Sequence, residues 1–122
     1  MYVDVRSEQA WAADAGRIRM AEAAVAAALH VPEAKLRSRS RERFPIARAR
    51  QQAMYLAHIV FGLSLSRVGI GFGRDRTTVR HACAVLEDSR DDAAADLALS
   101  AMEAGLLAFA KTLDSQLQDA RA

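Results

Sequence analysis

Few residues in this chain are of types that do chemistry. They are three histidines, one cysteine, and the run Arg74-Asp75-Arg76-Thr77-Thr78 with Arg80 and His81 behind it. His58, His81 and Cys83 match no metal-ligand spacing. Thirteen of the fifteen carboxylates lie outside the segment from Lys35 to Arg80, where the other polar groups gather, so no acid–base pair or activated nucleophile suggests itself. Gly69-Ile70-Gly71-Phe72-Gly73 follows no strand and precedes no Gly-Lys-Ser/Thr, so neither a P-loop nor a dinucleotide fingerprint is met. The chain is expected to have no catalytic residue, no metal ligand and no cofactor. The Arg/Asp/Thr run offers a different chemistry: forked guanidinium donors, small hydroxyls and one acceptor, a set that suits phosphate oxygens and base edges.

Charge placement supports that reading. The net charge is only +2, yet the segment from Lys35 to Arg80 holds eleven cations (Lys35, Arg37, Arg39, Arg41, Arg43, Arg48, Arg50, Arg67, Arg74, Arg76 and Arg80) against two acids, Glu42 and Asp75. That is +9 in the middle, leaving −7 on the flanks. Affinity for phosphate follows the local field rather than the total, so the asymmetry points to nucleic acid.

Two short helices joined by a glycine turn must position these groups. Gly62 to Leu86 reads as such a unit, with Ser64 capping a helix from Leu65 to about Phe72 and Gly73 making the turn. In the second helix Val79, Ala82, Cys83 and Leu86 fall at i, i+3, i+4, i+7 and face a core, while Thr77, Arg80, His81 and Ala84 lie opposite. A helix led by Arg, Asp and Thr, with Glu87 and Asp88 at its rear, suits entry into a DNA groove by its first turn. An ordinary surface helix capped by Asp75 is the plainer alternative.

Around that unit the chain reads as helical throughout, and the fold class expected is all-α. A first helix from Ser7 to Leu29 has Trp11, Ala15, Ile18, Val25 and Leu29 near one stripe, Asp14, Arg17 and Glu22 off it, and a possible break at Gly16. Pro32 opens a single turn ending at Leu36. Residues 37 to 44, Arg-Ser-Arg-Ser-Arg-Glu-Arg-Phe, have no apolar period and read as a DNA-contacting arm rather than a solvated linker. Pro45 starts a helix to about Phe61 whose buried stripe is Ile46, Ala49, Ala53, Leu56, Ala57 and Val60, with Met54, Tyr55 and Phe61 as packing residues and His58 partly buried. A last helix, about Ala93 to Ala120, carries a seam of Leu99, Met102, Leu106, Phe109 and Leu113, with Leu117 one turn beyond. Its first part should pack internally; Phe109, Leu113 and Leu117 are left as candidates for contact with a protein partner or a second copy.

The length fits a single domain spanning 1–122. A lone cysteine, a charged N-terminus and apolar runs too short to span a bilayer lead to the expectation of a cytoplasmic, nucleoid-associated protein with no membrane partner.

The stretch Ala49-Arg50-Gln51-Gln52-Ala53-Met54-Tyr55-Leu56-Ala57, then Leu63-Ser64-Leu65, Phe72-Gly73-Arg74-Asp75 and Thr77-Thr78-Val79-Arg80-His81-Ala82-Cys83, resembles the C-terminal DNA-binding domain of the bacterial replication initiator DnaA. The likeness reaches upstream to about Arg17, so 17–90 is the DNA-binding unit and 93–120 an addition. The resemblance implies a helix-turn-helix of the kind shared with the Trp repressor, with double-stranded DNA as partner. It places base reading at Arg74, Asp75, Arg76, Thr77 and Thr78, and phosphate contacts at Arg50, Gln51 and the Ser64-Leu65-Ser66 turn. It sets a minor-groove arginine, Arg39 or Arg41, in the Arg37–Arg43 loop. Arg48, Arg67, Arg80 and His81 are expected to join the same surface. Compared with the family pattern, Arg76 replaces a histidine, Arg80 replaces a leucine and one glycine before Arg74 is missing, so a site other than the usual DnaA box is expected.

The ATPase module of an initiator is not in this sequence. The function expected is therefore a sequence-specific transcription regulator, of which some stand-alone relatives are similar to activators of gene-transfer-agent clusters. The alternatives are a replication-control protein competing with DnaA at origin sites, and an interaction adaptor working through its last helix.

Overall fold

The structure, a computed structural model, describes residues 5–36 and 44–121. Six helices follow one another in those residues: α1 (Val5–Leu29), α2 (Glu33–Leu36), α3 (Phe44–Phe61), α4 (Leu65–Phe72), α5 (Arg76–Ser89) and α6 (Ala93–Arg121). The all-α expectation holds. The arm at residues 37–43, with Arg37, Arg39, Arg41 and Arg43, lies outside the described residues.

The central helix is α3. Ala49, Ala53, Leu56 and Ala57 are buried along it, and the small side chains let α1 and α5 approach closely. Met54 and Tyr55 are also buried, whereas Ile46 and Val60 at the ends of the expected stripe are half-buried. Gly62, at φ 67°, ends the helix in the left-handed region that glycine reaches without strain. His58 Nδ1 lies 2.6 Å from the Leu63 carbonyl just past that turn.

The phase of α1 differs from the expected one. Ile18 and Val25 are buried as expected, but Trp11 is 55% exposed, and Ala15 and Leu29 also face outward. Asp14 and Glu22 are the residues turned inward, Glu22 at only 1% exposure. The true stripe is Asp14, Ile18, Ala21, Glu22, Val25 and Ala26. Alanine is so frequent in this helix that the apolar pattern barely marks a face, and tertiary partners set the rotation. One such partner is Arg67 of α4, whose Nε donates to Asp14 at 2.9 Å. Gly16 makes no break: α1 is continuous, and a side chain at that position would meet nothing within 4 Å.

Leu99 and Leu106 of α6 are buried as expected, but the next inward residue is Ala110. Phe109 is 58% exposed and Leu117 48% exposed, while Leu113 is half-buried. A polar cluster anchors the near end of this helix. Arg90, at the end of α5, donates from Nε to Asp96 at 2.6 Å, from Nη2 to Ser100 at 2.9 Å, and from Nη1 to Glu103 and to the Tyr55 hydroxyl, the latter at 3.0 Å. Tyr55 in turn donates to Glu87 at 2.5 Å. Among the described residues no buried side-chain nitrogen or oxygen lacks a hydrogen-bond partner. Contrary to the expectation from uninterrupted apolar runs, α6 is long and apolar enough to cross a membrane by length and composition. An 18-residue window has mean hydropathy 1.4, with 17% of it buried, and length and composition alone place no helix in a membrane.

Candidate nucleic-acid interface

The helix-turn-helix is built by α4, the turn at residues 73–75, and α5. Ser64 caps α4: its hydroxyl accepts from the Arg67 N–H at 3.1 Å. At the other end Gly73 adopts φ 67°, and its N–H turns back toward Ile70 at 3.3 Å. The Arg74 N–H then donates to the Gly69 carbonyl at 2.8 Å. This folds the turn so closely over α4 that a Cβ on Gly69 would lie 2.5 Å from the Arg74 carbonyl oxygen. Gly71 similarly lets Ile18 of α1 settle against α4. The glycine run therefore serves close packing.

Asp75 begins α5. Its side chain accepts from the Thr78 N–H at 2.9 Å with the backbone extended at φ −81° and ψ 164°, a helix N-cap. Hydrogen bonds from Thr78 hold the Asp75 carboxyl below the usual carboxylate range, so it is ionised there. One oxygen caps the helix; the geometry leaves the carboxylate at the surface, where it can also accept from a base amino group.

Burial divides α5 as the spacing implies. Val79, Ala82 and Leu86 are buried, Cys83 is half-buried, and Arg76, Thr77, Thr78, Arg80 and His81 are exposed. Burial, with Glu87 nearby, pushes the Cys83 thiol up, which favours its neutral form at this packing position. The only acid within the first two turns is the cap itself.

The remaining expected site residues fall into three settings. Ser66 and Arg67 are exposed and Leu65 half-buried at the start of α4, where first-turn N–H groups lie outside the intrahelical ladder. Arg67 is shared with Asp14, an ion pair that spacing alone gave no means to see because it joins residues far apart in the chain. Arg48, Gln51 and Arg74 are half-buried. Arg50 is different: it is 8% exposed, and its guanidinium donates to the carbonyls of Leu36 at 2.8 Å and Lys35 at 3.0 Å. It ties the end of α2, from which the basic arm departs, to the first turns of α3.

The family model described as the bacterial DnaA protein helix-turn-helix matches residues 18–85. The chain belongs to that family. The match covers more than half of the sequence, runs from within α1 almost to the end of α5, and stops before α6. A DnaA-type helix-turn-helix is a DNA-binding element, and double-stranded DNA is the partner it supports. No solved structure matches the chain.

Proposed function

We propose that the chain is a sequence-specific regulator of transcription that binds double-stranded DNA with α5 in the major groove. The observation that carries this reading is the division of α5. Its buried face is wholly apolar, and the exposed side chains of its first two turns are donors or acceptors suited to base edges, with no acid but the cap to repel a phosphate backbone. The N-terminus of α4, with Ser64, Ser66 and Arg67, and the half-buried Arg48 and Gln51 of α3 position the backbone. The Arg37–Arg43 arm adds a cationic segment able to enter a minor groove. Residues 17–90 act as the DNA-binding unit and 93–120 as an appended helix. A genome-wide occupancy map tests the regulatory role: enrichment at promoters is expected, and enrichment confined to the replication origin would assign the protein to replication control instead.

A specific observation favours a further role for α6. From Lys111 to Arg121 only Leu113 is even half-buried, and Phe109, Leu113 and Leu117 recur one turn apart. A helical segment of that length is marginal alone in water. The surface fits contact with another protein or a second copy. Sedimentation of the full chain beside a Leu113→Asp/Leu117→Asp variant tests it.

A further inference from the structure

We infer that Arg76 and Arg80 act as a pair that reads guanines on one strand of the bound duplex. The assignment rests on α5 being the reading helix and adds to it what that helix reads. The two residues are i and i+4 on α5, so their side chains leave the same flank one turn apart, and both are exposed. They stand in an arrangement that the helix alone does not favour. Like charges one turn apart repel, and cations near a helix N-terminus oppose the macrodipole. The first turn contains no acid, and no ion pair joins either guanidinium to a described carboxylate. Asp75, the one nearby acid, is committed to capping Thr78. An external acceptor array relieves this repulsion. The O6 and N7 atoms of guanine present the two parallel acceptors that a guanidinium fork matches, and an ammonium does not.

Spacing makes the inference specific. Four residues of α-helix rise by about 6 Å. Successive base pairs are about 3.4 Å apart along the duplex. The two guanines should therefore lie about two steps apart on the same strand when α5 follows the groove. Thr77 and His81 sit beside the pair and leave room for neighbouring bases to be read independently.

The test is selection of bound sequences from a random duplex pool by the full chain and by its R76K and R80K variants. Lysine keeps the charge on an exposed side chain, so a phosphate contact would survive while a forked contact would not. The wild-type site should contain two same-strand guanines about two steps apart. Each variant should lose preference at one of them by at least about fivefold, a loss larger than any fall in its affinity for random duplex. Replacing that guanine by 7-deazaguanine, which lacks N7, should weaken wild-type binding by a similar factor and leave the matching variant unaffected. If both variants select the wild-type site, or 7-deazaguanine has no effect, the pair contacts only phosphate and the inference is overturned while α5 remains the reading helix. If the wild-type chain selects no sequence at all, the reading of α5 itself fails.

Discussion

Arg50 donates from Nε to the backbone carbonyl of Leu36 at 2.8 Å, across fourteen residues that include the whole basic arm. A residue aligned with a phosphate contact is thereby built into the frame that holds the arm's starting point. Its second bond, to Lys35 at 3.0 Å, fixes the guanidinium in plane. Arg50→Ala should lower folding stability by about 2 kcal/mol, the scale of lost hydrogen bonds to a charged group. It should also weaken binding to every duplex equally, because the arm is displaced. Denaturant melts paired with affinity on specific and random DNA check both effects. A variant with unchanged stability and weakened binding would make Arg50 a phosphate contact alone.

Two glycines of similar appearance in the sequence should respond oppositely to alanine. Gly16 lies in the middle of continuous α1 with open space at its Cβ position, so Gly16→Ala should stabilise by about 0.5–1 kcal/mol. Gly69→Ala forces a methyl against the Arg74 carbonyl and should destabilise by about 1–3 kcal/mol, with loss of DNA binding as the turn opens. Thermal melts of the two variants decide this.

The cluster around Arg90 ties α6 to the helix-turn-helix through Tyr55. Burial is the main cause that raises the Tyr55 hydroxyl above its ordinary value, followed by its bond to Glu87. A value raised in the folded state gives stability that is fully present below about pH 10 and is lost as pH rises through the folded value. Asp75 has the opposite sign: its lowered value gives stability present above about pH 4 and lost as pH falls through the folded value. Tyr55→Phe should lower stability by about 1–2 kcal/mol at neutral pH and flatten the alkaline limb. Melting temperature against pH for wild type, Tyr55→Phe and Asp75→Asn separates the two limbs. Asparagine keeps the cap without the titration.

Much of this architecture was legible in the sequence where residue type and period agree. The stretch Gly62–Leu86 carries a capping serine, a left-handed glycine, a capping aspartate and a strict apolar stripe, and each appears in the structure as read. The first helix was harder because alanine is neutral between core and surface. Its rotation depends on Arg67 meeting Asp14 and on the interior accepting Glu22, neither of which leaves a local mark. Tyr55 and Arg90 show the same limit. Tyr55 reads as a packing residue from its type, yet it shares one hydrogen-bonded cluster with Arg90 across thirty-five residues. At the site, the surface residues of α5 were readable by periodicity, whereas the inward turn of Arg50 was set by backbone carbonyls that sequence does not reveal.

Electrostatics should dominate non-specific affinity. If about six of the eleven central cations meet phosphates, log affinity should fall with log salt at a slope of about −5. A salt titration on random duplex measures it, and a slope shallower than about −2 would remove the arm and the α4 terminus from the contact surface.

The most direct test of the central claim compares affinities for a selected duplex and a scrambled one, using wild type and Thr77→Val. Threonine 77 is exposed on the first turn of α5, and valine keeps its shape while removing the hydroxyl. The wild-type chain should prefer the selected duplex, and Thr77→Val should lose about fivefold or more of that preference with scrambled-duplex affinity intact. Equal affinities of the two proteins on both duplexes would contradict the placement of α5 in the groove.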